Sequence, residues 1–234
     1  MRLFAALLPP ADVLDGPGRL AEAVGQLHSM PGAGQLRWTD RANWHITLAF
    51  YGEVPDAVLP SLEERLARAA GRARPLRLRI AGAGRFGDRA LWAGLDDGED
   101  DGEEGDGSGG APDHEGVAGR SSRGGTVAEA RPGRARPGVR PVEAVRRLAA
   151  AAAAAGRRAG VELEDSRRFT PHLTVARPAK GTVDLRPYAA ALGAFRGRSW
   201  TADELALVRS NLPDSGVPGE QPRYEKVAAW PLGG

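Results

Sequence analysis

Two short stretches of the chain carry residue types suited to acid–base chemistry: His45-Ile46-Thr47-Leu48 and His172-Leu173-Thr174-Val175. Each is a His, an aliphatic residue, a Thr and a second aliphatic residue. An extended segment alternates its side chains between two faces. Each tetrad therefore presents imidazole and hydroxyl together and turns its aliphatic pair the other way. Chance explains the pair poorly. The chain holds seven Thr and four His in 234 residues. Two of four His with Thr two positions on is an event of about 0.5% if positions are independent. A sheet face holding only His, Thr and the flanking Ala49 and Ala176 is a poor core face and calls for a polar occupant.

Two imidazoles facing one substrate can divide acid and base duties near neutral pH, because their unperturbed pKa is about 6.5. One takes a proton from water and the other gives one to a leaving oxygen, while two Thr hydroxyls hydrogen-bond the non-bridging oxygens of a phosphate. This set suits metal-free, in-line hydrolysis of a phosphodiester. A catalytic zinc site needs about three protein ligands, and the chain offers no Cys and no third matched His, so neither a metal nor a cofactor is expected. The absence of Cys also removes disulfides, iron–sulfur clusters and thiol catalysis. A serine triad lacks its nucleophile-elbow signature. His28, in a predicted helix, and His114, in an acidic stretch, are not expected to be catalytic.

The elements that position the tetrads follow from periodicity. Strands are expected over Arg2–Leu8, Trp44–Tyr51, Leu76–Ile80, Ala90–Leu95, Pro171–Ala176, Glu204–Arg209 and Tyr224–Trp230. Helices are expected over Ala11–Met30, with a break near Gly16-Pro17-Gly18, and over Asp56–Ala70. A third starts at Pro141 and ends at Gly156 or Gly160, and a fourth covers Leu185–Leu192. This pattern predicts an α+β fold of two pseudo-symmetric lobes. Each lobe is a small, mostly antiparallel sheet backed by helices, and the active-site cleft lies between the sheets. Arg177, just after the second tetrad, is a candidate phosphate contact. By strand parity Tyr51 lies on the His45 face, where its ring could stack on a base. Trp38 and Trp92 are expected in the core.

The charge is unevenly spread. Of 32 basic residues only Lys180 and Lys226 are Lys, which reads chiefly as a coding bias toward Arg. Residues 96–140 hold 12 Gly, 11 acidic residues and six Arg with no aromatic residue. The acids come first and most of the Arg after. This stretch is expected to be a disordered insertion within a single bilobal domain spanning residues 1–234. Its charge is −5, so the remaining 189 residues carry +7 rather than the whole-chain +2, which suits a polyanionic ligand. The apolar run Leu3–Leu8 is too short for a signal core or a membrane span. A cytoplasmic monomer without membrane contact is expected.

These residues and their flanks resemble the 2H phosphoesterases, specifically the bacterial and archaeal RNA 2′,3′-cyclic phosphodiesterases once named 2′-5′ RNA ligases. The resemblance rests on Arg2–Leu7, Leu36-Arg37-Trp38, Asn43–Val54, Leu91–Leu95, Phe169–Arg177, Leu207–Ser210 and Tyr224. It departs from the family at 96–140, where the connection is usually shorter. It implies His45 as the proton donor to the departing 3′ oxygen, His172 as the base that activates water, and Thr47 and Thr174 as the phosphate holders. The implied partners are RNA ends or nucleotides bearing a 2′,3′-cyclic phosphate, and the product is a 2′-phosphate. The same scaffold also fits 2′-5′ ligation or cleavage of another nucleotide. A reading of another class is a non-catalytic RNA- or nucleotide-binding module, to which an intact acid and base would be superfluous.

Overall fold

The computed structural model describes residues 1–96, 140–163, 169–213 and 220–233. Contacts gather the described residues into one compact unit. Nearly all of the expected insertion lies outside the described residues. That stretch loses one residue at each end. Asp96 closes a strand and accepts a hydrogen bond from Arg79 Nε at 3.0 Å, and Arg140 caps the start of a helix.

The described chain forms β1 (Arg2–Leu7), α1 (Ala11–Leu14), α2 (Leu20–Leu27), β2 (Leu36–Trp38), β3 (Ile46–Glu53), α3 (Leu59–Gly71), β4 (Leu76–Arg85), β5 (Leu91–Asp96), α4 (Pro141–Ala159), β6 (Leu173–Pro178), α5 (Arg186–Leu192), β7 (Arg196–Ala202), β8 (Glu204–Asn211) and β9 (Arg223–Pro231). The expected first helix is split into α1 and α2. α4 begins with Pro141 in its first turn and ends at Gly160, whose φ of 91° supplies the left-handed cap. α3 buries Leu62, Leu66 and Ala70 on one stripe. Two strands were not expected. β2 is only three residues long, and β7 alternates Arg, Gly and Ser before its first buried residue, Trp200. As an edge strand it needs little apolar surface.

All strand pairs are antiparallel. The order is β7-β4-β5-β6-β3-β1-β8-β9, with β2 pairing onto β6. The two lobes are the halves of this one curled sheet. Their strands do not follow the two halves of the chain: β1 and β3 are completed by the C-terminal β8 and β9, while β6 joins β4, β5 and β7. A single registered pair, Ile46 with Leu173, connects the lobes, and both residues are fully buried. Beyond it β2 takes over the free side of β6, so β3 is released from β6 and a cleft opens. The main core fills the helix-facing side of the sheet, around Leu3, Leu48, Leu66, Leu148 and Val175. A smaller cluster of Phe4, Ala6, Ala206 and Val208, with Tyr224 against it, lies apart from that core.

Candidate active site

The Ile46–Leu173 pair brings the tetrads together. Antiparallel register through it sets His45 across from Thr174 and Thr47 across from His172, and all four line one cavity of about 490 Å³. Ile46, Leu48, Leu173 and Val175 are all buried in the main core, as the alternation requires.

The alternation then breaks, at the same place in both lobes. On β3, Ala5 pairs with Ala49 and Ala6 with Thr47, so Leu48 is an extra residue, and Leu48 and Ala49 both enter the core. On β6, Leu91 pairs with Ala176 and Trp92 with Thr174, so Val175 is extra, and Val175 and Ala176 both enter the core. Each bulge inverts the parity that follows it. The fifth residue after each His therefore turns into the cavity: Phe50 in one lobe and Arg177 in the other. This corrects the expectation for Tyr51. Its ring is buried on the helix side against Gly156, and its hydroxyl donates to the Ala152 carbonyl at 3.1 Å. The exposed ring belongs to Phe50, with the Arg2 guanidinium 4.8 Å from its centroid. No residue type marks either bulge, so parity alone misplaces both positions.

The two imidazoles are held alike. His45 Nδ1 lies 2.7 Å from the Asn43 carbonyl and His172 Nδ1 lies 2.7 Å from the Thr170 carbonyl. A carbonyl only accepts, so Nδ1 carries the proton in each ring and Nε2 is the nitrogen left to exchange one. Asn43 is itself fixed by its side-chain amide, which donates to the Pro222 carbonyl at 3.0 Å. Aromatic rings flank both imidazoles. Phe4 and Tyr224 lie 4.6 and 5.1 Å from His45, and Phe86 and Trp92 lie 4.8 and 6.1 Å from His172. Trp92 reaches this position across Gly84, where any Cβ would strike the indole ring.

Burial pushes both imidazoles below their ordinary pKa. The backbone hydrogen bonds oppose this, and the Arg177 charge adds to it; His45 also feels His172. Burial likewise lowers Arg177, with Tyr224 opposing and Arg37 reinforcing the shift. Arg37 and Arg177 are directly opposite in the β2–β6 ladder, and both line the cavity. Like charges so placed repel, and an anion between them would relieve that.

Phe4, Arg37, Asn43, Ser210 and Tyr224 complete the site although the spacing of the tetrads does not point to them. Phe4, Ser210 and Tyr224 come from β1, β8 and β9, which are joined to β3 by pairing between distant strands; Arg37 comes from β2 on the free side of β6, and Asn43 from the turn before β3. Trp38 sits half-buried beside the core, its indole N–H donating to the Ala33 carbonyl at 3.2 Å. His28 packs against Trp38 instead of entering the cavity, and His114 lies outside the described residues. Among the described residues no three His, Asp or Glu side chains come together as a metal-holding group. No helix among them is long and apolar enough to cross a membrane.

Comparison with known proteins bears on this arrangement. A curated relative, the RNA 2′,3′-cyclic phosphodiesterase of Geobacillus stearothermophilus, is 27% identical over 199 residues. That match covers 83% of this chain and 47% of the relative, so the chain spans about half the relative's length. A solved structure from Thermus thermophilus superposes with a TM-score of 0.63 at 22% identity, covering 100% of this chain and 99% of the other. E. coli LigT complexed with 3′-AMP superposes with a TM-score of 0.61 at 21% identity, covering 99% and 97%. These two likenesses concern the fold. The family model of LigT like Phosphoesterase matches residues 13–92 and 138–218, which hold both tetrads. With 161 of its 234 residues so matched, the chain belongs to the LigT-like phosphoesterase family.

Proposed function

We propose that this phosphoesterase hydrolyses 2′,3′-cyclic phosphodiester ends of RNA to 2′-phosphomonoesters, with His45 as general acid and His172 as general base. The observation that carries this reading is the matched pair of imidazoles. Each is tied through Nδ1 to a backbone carbonyl, and both open with two Thr hydroxyls on one cavity. His172 Nε2 takes a proton from water as its oxygen bonds to phosphorus. The bond from phosphorus to O3′ breaks, and O3′ takes the proton of His45 Nε2. The 2′-phosphate remains. Thr47 and Thr174 hydrogen-bond the non-bridging oxygens, and Arg177 balances their charge. No step calls on a metal. Phe50 offers one open aromatic face to a base. The relative's name points to the same substrate class.

A substrate panel tests this. Turnover of a nucleoside 2′,3′-cyclic phosphate is expected. Preferential cleavage or joining of 2′-5′-linked nucleotides would favour the ligase reading, and binding without any product would favour a non-catalytic module.

The depressed imidazoles set the pH dependence. The acid must be protonated and works only below its pKa; the base must be neutral and works only above its own. Both values in the free enzyme lie below the ordinary 6.5, so kcat/KM should peak on the acidic side of pH 6.5. Arg177→Met removes a charge that lowers both imidazoles. The expected result is a peak moved toward higher pH together with a raised KM. A profile unmoved by this substitution would contradict the assigned electrostatics.

A further inference from the structure

We propose that the groove between α3 and α4 is a second phosphate-binding site for the RNA strand, separate from the catalytic cavity. The groove encloses about 430 Å³. Arg65, Arg68 and Arg72 line it from α3 and its C-cap, and Arg158 lines it from the last turn of α4. Alanines such as Ala69 and Ala154 make up the rest of its lining. Among the described residues no carboxylate lines it. The small side chains let a backbone approach closely, and the guanidiniums offer forked donors suited to phosphate oxygens.

An Arg-rich chain places many guanidiniums on helix surfaces, and outside the groove several are matched with acids, although Arg157 has no ion pair among the described residues. Arg146 and Arg147 pair with Glu143, and Arg186 pairs with Asp184. Within the groove Arg68 pairs with Glu64 at 3.3 Å, and Arg65 Nε donates to Ser61. Arg72 and Arg158 have no ion pair among the described residues. Both sit at helix C-termini, where a positive charge is favoured by the helix dipole. That would account for their charge, but not for their convergence on one groove with no carboxylate among its described lining residues.

The groove and the catalytic cavity lie on opposite faces of the sheet. Thr47 and Phe50 face the cavity, while Tyr51, from the same strand, faces α4 and donates to Ala152. Substitutions in the groove should therefore spare the chemistry. The choice of RNA as the occupant rests on the proposed function; the chemistry recognised is the phosphodiester backbone.

The test uses the full chain and the double variant Arg72→Glu/Arg158→Glu, with a thermal melt as the folding check. A single-stranded RNA of about 20 nucleotides ending in a 2′-phosphate is titrated at several salt concentrations. Losing two phosphate contacts should weaken binding about tenfold and reduce the salt slope of log K by about 1.4. Both kcat and KM for a nucleoside 2′,3′-cyclic phosphate should stay at wild-type values. Unchanged RNA affinity and slope would overturn the proposal. So would loss of binding to phosphatidylglycerol vesicles with RNA binding intact. If the wild type fails to hydrolyse the cyclic nucleotide while the variant still loses RNA affinity, the proposed function falls and the groove stands.

Discussion

His45→Ala and His172→Ala are each expected to lower hydrolysis of a nucleoside 2′,3′-cyclic phosphate by about 10²–10⁴-fold, the usual contribution of one positioned acid or base. The fold should tolerate both changes, because each imidazole is only half-buried and lines the cavity. The two variants should differ in how they respond to the leaving group. With sulfur replacing O3′, the departing thiolate needs little protonation. The His45→Ala defect should then shrink toward wild type, while the His172→Ala defect should persist because water must still be activated. The reverse pattern would exchange the two roles. Near-wild-type turnover of the oxygen substrate by either variant would remove that imidazole from the mechanism altogether.

Leu173→Ala should destabilise the protein by about 2–5 kcal/mol, the range for truncating a fully buried Leu. Against a total stability of about 5–15 kcal/mol, that is a large share. Leu173 has no exposed surface and pairs with Ile46 on one side and Ala93 on the other. The pair with Ile46 is the only registered contact between β3 and β6, so the truncation loosens the seam that holds the two tetrads in register. A loss of kcat is therefore expected even where the variant is fully folded. Leu192→Ala separates the two effects. Leu192 is also buried, but in α5 and away from the cavity. It should lose comparable stability and keep its kcat. The denaturant midpoint and kcat of both variants provide the check, and equal kcat values for both would deny the seam its role.

Much of the site was legible in the residues because the catalytic face of each tetrad depends only on strand alternation over three residues. His45, Thr47, His172 and Thr174 all reach the cavity on that rule. The rule fails one step later, where an extra residue at Leu48 and another at Val175 invert the parity and exchange Tyr51 for Phe50. Arg177 enters the cavity for the same reason, although strict alternation would have turned it away. Helices with strong punctuation were readable: the start of α4 at Pro141 was fixed to the residue, while its end was open between Gly156 and Gly160 and falls at Gly160. β2 and β7 were not, because a three-residue strand and a polar edge strand carry too little apolar pattern. The two lobes were anticipated, but their strand content was not. The pairing of β1 with β8 joins residues about 200 positions apart, and no local signal encodes such a contact.

The proposed reaction is a proton transfer that leaves the phosphate on O2′ and needs no metal. The most direct measurement is chromatographic identification of the product formed from a nucleoside 2′,3′-cyclic phosphate in the presence of EDTA. A 2′-phosphate, formed at the same rate with and without chelator, is the predicted result. A 3′-phosphate, or activity abolished by the chelator and restored by a divalent cation, would contradict it.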